Sequence, residues 1–210
     1  MIYLIGGPPK CGKTTLAKAL SNKLQIPWVS SDTLQVIARA YINKYAADKQ
    51  ASLFPIKASK GNNNDETYSN YTPEQITQNY IIQGKTSYPA IDMFSICEIT
   101  DGHDYIIEGY HVTPECAKDL IQKYGAINFQ VVFLTKFDTD KFIENIHKST
   151  TTNDWILAKT HKPETFAKIA QMVSLYSQYF ESEAKKFNFP VLNLDTNFES
   201  KVQDYICKLL

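Results

Sequence analysis

The chain has 210 residues and a mass of 23.9 kDa, which suits one domain at about 100–200 residues per domain. With 43% hydrophobic and 21% charged residues it can bury an ordinary core, which excludes wholesale disorder, collagen-like repeats and a coiled coil. Its 22 basic residues balance 22 acidic ones, so no charge excess argues for a nucleic-acid or membrane-surface partner.

Of the basic residues only Arg39 is an arginine, so a site needing a guanidinium fork has one candidate in the chain. The four cysteines at 11, 97, 116 and 207 form no C-x-x-C pair, and reduced thiols in the cytosol are expected. The apolar run at the N-terminus is short for a signal peptide and lacks a basic flank. No stretch approaches the ~20 apolar residues of a membrane span, so a cytoplasmic protein is expected.

Ile2–Ile5 reads as a buried strand, followed by a Gly/Pro-rich turn and a helix over Lys13–Leu24 with Leu16, Ala17, Leu20 and Leu24 on one face. Pro27–Ser30 reads as a second strand, and Ser31 or Asp32 is expected to cap the next helix. Residues 45–72 turn polar around Gly61-Asn62-Asn63-Asn64-Asp65, the composition of a mobile insertion. A helix opens at Pro73 or Glu74, and the pattern is helical again over Lys85–Ile99. Strands at Tyr105–Ile107 and Phe129–Leu134 flank a helix over Pro114–Tyr124. Then come a helix over Asp138–His147, a polar stretch over 148–162, a long helix over Pro163–Phe187, a strand at Val191–Leu194 and a closing helix over Phe198–Leu210. Alternating strands and helices predict a three-layer α/β/α core with a parallel sheet of about five strands. Residues 1–210 are taken as one domain, with 45–100 a helical acceptor-side insertion and 148–162 a lid.

Gly7-Pro8-Pro9-Lys10-Cys11-Gly12-Lys13-Thr14 fits G-x-x-x-x-G-K-[ST] between a strand and a helix. Glycines let backbone N–H groups turn inward around a phosphate, and the helix N-terminus adds its positive end. Lys13 can reach the terminal phosphates, the Thr14 hydroxyl can bind Mg2+, and Thr15 can contact the first phosphate. Lys10 is expected to be solvated. Cys11 sits where a helix N-terminus can lower a thiol's pKa, yet no redox role is expected.

A nucleotide site alone leaves a GTPase, an ATP-driven motor or a small-molecule kinase. Thr135-Lys136-Phe137-Asp138 matches the T-K-x-D guanine-binding pattern, but no D-x-x-G switch is correctly spaced. The preferred reading of Asp138 is a helix cap. A motor's arginine finger is poorly served by one arginine.

A kinase must hold an acceptor hydroxyl and take its proton. Asp32 follows the second strand, on the edge of a parallel sheet where ligands bind, and its other reading is a helix N-cap. Arg39, two turns on, can grip an anionic group of the acceptor or be an ordinary surface arginine. Glu108 ends the third strand and can serve Mg2+ or act as the base. His111 can stand behind the site and support it, but a lone histidine is more often structural, and that is the reading preferred.

The segments G-G-P-P-K-C-G-K-T-T-L-A, S-S-D and I-I-E-G-Y-H-x-x-P resemble the P-loop small-molecule kinases of the nucleoside-monophosphate-kinase type, and most of all the 2-phosphoglycerate-kinase-like branch. The resemblance covers about residues 1–44 and 104–137. It implies ATP and Mg2+ bound along Gly7, Pro8, Pro9, Lys10, Cys11, Gly12, Lys13, Thr14 and Thr15, with Asp32, Arg39 and Glu108 on the acceptor side. It also implies transfer of the γ-phosphoryl group to a small-molecule hydroxyl or phosphate. The lid departs from the family, offering Lys148, Lys159 and Lys162 where arginines are usual. A regulatory nucleotide-binding module is the alternative.

Overall fold

The computed structural model describes residues 1–45, 63–150 and 154–209. Parts of the expected insertion and of the expected lid, at 46–62 and 151–153, lie outside the described residues, as does the mobility expected of the first.

Five parallel strands form one sheet: β1 (Ile2–Gly6), β2 (Trp28–Ser30), β3 (Tyr105–Glu108), β4 (Phe129–Thr135) and β5 (Val191–Asn193), in the order β2-β3-β1-β4-β5. The fold is the expected three-layer α/β/α arrangement. Both faces of the sheet are apolar, as the uninterrupted hydrophobic runs require. The pleat divides successive residues between two cores. Ile5, Ile106, Val132 and Leu134 pack with α1 (Lys13–Leu24) on one side, while Leu4, Ile107, Val131 and Phe133 pack on the other.

Pro27 stands outside β2: it has no N–H to donate, although its carbonyl accepts from Ile106 N at 3.0 Å. β3 and β4 each run one residue further than the pattern suggests. In β3 the extra residue is Glu108, which pairs in register with Ile5 of β1 and Ser30 of β2. It thus lies at the carboxyl edge of three neighbouring strands.

α2 (Ser31–Tyr45) follows β2 directly. Its first turn corrects the expected cap, because the Asp32 amide donates to Ser30 Oγ at 3.2 Å. Capping by Ser30 leaves the Asp32 carboxylate available. α3 (Asn64–Asn70) lies where a polar loop was expected, and Asn63 caps it through Asp65 N at 2.8 Å. The two helical patterns beyond it are one 28-residue helix, α4 (Pro73–Thr100), opened by a Thr72/Gln75 capping box. Its Pro89 removes one internal hydrogen bond without ending it. α5 (Pro114–Tyr124) starts at a Thr113 cap. α6 (Thr139–His147), the short α7 (Trp155–Lys159), α8 (Pro163–Lys186) and α9 (Phe198–Leu209) complete the chain order. Among the described residues no helix is long and apolar enough to cross a membrane.

Candidate active site

A cleft of about 1210 Å3 opens at the carboxyl edge of the sheet, above the turn joining β1 to α1. Pro9, Lys10, Gly12, Lys13, Thr14 and Thr15 of that turn line it. Gly7, Pro8 and Cys11 of the same turn are buried and do not line the cleft. Gly12 caps α1 at φ 91, a left-handed conformation in which an L side chain is strained. A Cβ there would also fall 2.3 Å from the Phe198 ring.

Lys13 is buried, and its Nζ donates to the Pro8 carbonyl at 2.6 Å, folded across its own loop. Thr14 Oγ1 donates to Glu108 Oε1 at 2.9 Å. Glu108 is 4% exposed. Burial pushes its carboxyl above the ordinary range, outweighing the Lys13 charge and the Thr14 hydrogen bond, and the Asp32 charge adds to the rise. Asp32 lines the same cleft, with Ser30, Tyr80 and Tyr110.

Arg39 does not line the cleft. It is half-buried on α2, and its charge works against the raised pKa of the buried Tyr110 phenol.

Two expectations for the loop need correction. Lys10 is not solvated: its Nζ pairs with Asp154 Oδ2 at 2.6 Å. The Cys11 thiol is not made acidic by the helix end: burial pushes it up to about 11, against the Lys13 and Lys136 charges and a Ser177 hydrogen bond. The T-K-x-D segment is settled in favour of a cap. Asp138 Oδ1 accepts from Lys141 N at 3.0 Å, and the Phe137 and Asp138 amides donate to Asp195 Oδ1 at 2.9 and 3.0 Å. Of Lys148, Lys159 and Lys162 only Lys159 lines the cleft. Lys148 pairs with Glu144 on the surface, and the Lys162 amide donates to Asp65.

Sequence reasoning missed Asp154, Asp195, Tyr80 and Phe198. All line the cleft, but their work is tertiary, and no local spacing signals it.

The turn between β1 and α1 carries the G-x-x-x-x-G-K-[ST] pattern at Gly7–Thr14. A family model described as "ATPase family associated with various cellular activities (AAA)" matches residues 3–63, the stretch that holds the loop. Among solved structures, a gluconokinase from Sinorhizobium meliloti 1021 superposes with a TM-score of 0.53 at 9% identity, over 99% of this chain and 91% of that one. At such identity the likeness speaks for the fold alone. Shikimate kinase from Bacteroides thetaiotaomicron gives a TM-score of 0.49 at 18% identity, over 100% and 98% of the two chains. Shikimate kinase from Aquifex aeolicus gives 0.48 at 14%, over 100% and 96%. No curated protein matches the sequence.

Proposed function

We propose that the chain is an ATP-dependent phosphotransferase acting on a small-molecule acceptor. The observation that carries this is the meeting of Thr14, Glu108 and Asp32 in the cleft into which the phosphate loop opens. One carboxylate beside Thr14 and a second facing the open cleft match the two tasks of a kinase site, serving the metal and meeting the acceptor. The second orients a hydroxyl and takes its proton.

The backbone N–H groups of residues 7–15 and the Lys13 ammonium bind the β- and γ-phosphates. Thr14 and Glu108, 2.9 Å apart, are hard oxygen donors that fit Mg2+, which takes one or two protein oxygens beside phosphate oxygens and water. When bound, Mg2+ neutralises charge on the phosphates. Asp32 orients the acceptor hydroxyl. As the acceptor oxygen bonds to the γ-phosphorus and the bond to ADP breaks, the hydroxyl proton passes to the Asp32 carboxylate. Arg39 grips an anionic group only on an acceptor long enough to reach past Tyr110. In this reading residues 1–210 form one domain, with 45–100 the acceptor-side insertion and 148–162 the lid.

The test is a thermal-shift panel of nucleotides with polyols, hydroxy acids and phosphorylated metabolites, followed by ADP-release assays on each hit. ATP with Mg2+ should raise the melting temperature, since it binds the native state alone. Lys13→Ala should cut acceptor-dependent ADP release by about 10²–10³ with the fold intact. Asp32→Asn should cut it by about 10² or more while ATP binding survives. Nucleotide binding with no ADP release for any acceptor would overturn the kinase reading and favour the regulatory module.

A further inference from the structure

One ionisable side chain beneath the cleft has no task in phosphoryl transfer as described. His111 lies in the turn after β3, three residues beyond Glu108, and is fully buried. A buried imidazole costs stability unless its polar atoms are matched. Its Nδ1 faces two oxygens on the first turn of α2: Ser31 Oγ at 2.9 Å and Asp32 Oδ1 at 3.7 Å. The first is a hydrogen bond and the second is within ion-pair reach. Ser31 is as deeply buried as the imidazole, whereas the Asp32 side chain is 59% exposed. The contact therefore joins a fixed interior anchor to a carboxylate that looks into the cleft.

The anchor is closely packed. Gly109 adopts φ 151, and a Cβ there would fall 1.8 Å from Ser31 Oγ, so glycine lets Ser31 reach His111. The Tyr110 ring centroid lies 3.9 Å from that of His111. Tyr110 is held in turn, its hydroxyl donating to Gln83 Oε1 at 3.2 Å and its carbonyl accepting from Tyr176 at 2.9 Å. The backbone closes the turn, with Thr113 N donating to the His111 carbonyl at 3.0 Å.

The groups facing Asp32 sharpen the point. Its charge raises Glu108 further and acts on Tyr80 and Tyr110, whose phenols burial already pushes up, that of Tyr80 to about 12. Both phenols stay protonated at neutral pH and bring no charge of their own, while Lys13 and Lys18 line the same cleft. Among the described residues His111 is the one basic side chain within 4 Å of the Asp32 carboxylate, at 3.7 Å.

We propose that His111 is a positioning residue for Asp32: by holding Ser31 and the Asp32 Oδ1 edge at one imidazole nitrogen, it fixes the rotamer that leaves the other carboxylate oxygen for the acceptor hydroxyl. The proposal rests on Asp32 as the acceptor-side carboxylate. His111 touches neither nucleotide nor acceptor and takes no proton from them. The Glu108-Gly109-Tyr110-His111 spacing then has a physical reason. One strand end supplies a buried carboxylate, the glycine admits the α2 turn, and the histidine fixes the second carboxylate.

The chain has four histidines, so the His111 ring can be followed by NMR in the full-length protein and assigned with His111→Asn. The Asp32 carboxylate lies 3.7 Å from Nδ1, so removing its charge with Asp32→Asn should shift the His111 ring resonances at neutral pH. The rings of His103, His147 and His161 should stay unmoved. No shift at His111 would overturn the contact whether or not the chain is a kinase. For function, ADP release is measured with Mg2+–ATP and the best acceptor of the panel, or water if none is found. His111→Phe should lower kcat about tenfold with KM for ATP unchanged. His111→Asn, which keeps a polar atom near Nδ1, should recover most of it and serves if the first variant misfolds. In an Asp32→Asn background His111→Phe should cost nothing further. An equal loss in both backgrounds would make His111 structural only and overturn the proposal. If neither transfer nor hydrolysis is seen, the kinase reading fails, and the NMR shift alone decides the His111–Asp32 contact.

Discussion

Lys10 of the phosphate loop and Asp154 at the head of α7 are joined by an ion pair of 2.6 Å, and the Asp154 side chain is 3% exposed. Lys10 adopts φ 62, uncommon for a residue with a Cβ. The Asp154 carboxylate also accepts from Ser149 Oγ and Ile156 N, each at 3.0 Å. The pair therefore ties the loop that cradles phosphate to the short helix that carries Lys159 into the cleft.

Removing one partner should loosen that tie. Lys10→Gly suits the backbone conformation, so it separates loss of the pair from strain in the turn. It should speed amide exchange across α7 while leaving α1 protected. Asp154→Ala loses the helix cap as well and should be worse, by about 1–3 kcal/mol, the cost of a hydrogen-bonded charged group. Burial raises the Asp154 carboxyl, but the bonds from Lys10 and Ser149 outweigh it and hold it below the ordinary range. The contribution is therefore complete above the ordinary carboxylate pKa and fades as pH falls through the lower folded value. Identical exchange at α7 in wild type and Lys10→Gly would show that the pair holds nothing.

The second tie joins α3 to the start of α8. Asp65 of α3 accepts from the His161 and Lys162 amides at 2.9 and 3.3 Å, and Asn64 Nδ2 donates to Thr160 Oγ1 at 2.9 Å. Lys162, the N-cap of α8, makes no side-chain cap of its own, so Asp65 caps that helix from a distant part of the chain. Partial burial raises the Asp65 carboxyl, but bonds from Thr165, His161 and Lys162 outweigh it and lower the pKa. Asp65→Ala should lower the melting temperature near pH 7, and the gap to wild type should narrow as pH falls below the ordinary range near 3.8. A gap that is constant with pH would mean that the carboxylate's charge plays no part.

These two ties explain how much of the molecule was legible in the sequence. All five strands could be read, because parallel strands buried on both faces are apolar runs. The phosphate loop could be read because its chemistry is local. Asn63 and Asp65 looked like low-complexity filler, since the amides that Asp65 accepts lie 96 and 97 residues away. Lys10 looked solvated for the same reason, its partner lying 144 residues on. The break placed within α4 failed differently: Gly84 and Pro89 weaken a helix locally, but packing against α2, α5 and α8 carries it through. Asp32 was legible as a site candidate, and the Ser30 cap that sets its carboxylate free was not.

The cysteines allow a plain chemical check. Cys11 and Cys116 are buried, and burial raises both thiols, whereas Cys97 and Cys207 are exposed. A thiol-specific reagent near pH 8 should modify Cys97 and Cys207 in the native protein, and Cys11 and Cys116 only on unfolding. The thiolate is the reactive form, and a thiol at about 11 supplies little of it. Rapid native modification of Cys11 would show that the phosphate loop opens far more readily than its packing implies.

Glu108 sets stability against function. Burial holds its carboxyl above the ordinary range, so ionising it costs the folded state. For such a group the favourable contribution is complete below the unfolded pKa and is lost as pH rises through the higher folded value. Glu108→Gln keeps the shape and an oxygen for Thr14 but removes the ionisation. Without nucleotide the variant should melt above wild type near pH 7, and the two should converge near pH 4. With ATP and Mg2+ together the order should reverse. Wild type gains from Mg2+ because its carboxylate is a hard charged oxygen beside the Thr14 hydroxyl, and the amide is a poorer donor. The measurement is the melting temperature of both proteins across pH, with ATP alone and with ATP plus Mg2+. A variant that gains as much from Mg2+ as wild type would remove Glu108 from the metal side and leave it as a second candidate for the base. A variant that melts below wild type at pH 7 without ligand would mean that the Thr14 and Lys13 interactions outweigh the burial of the charge.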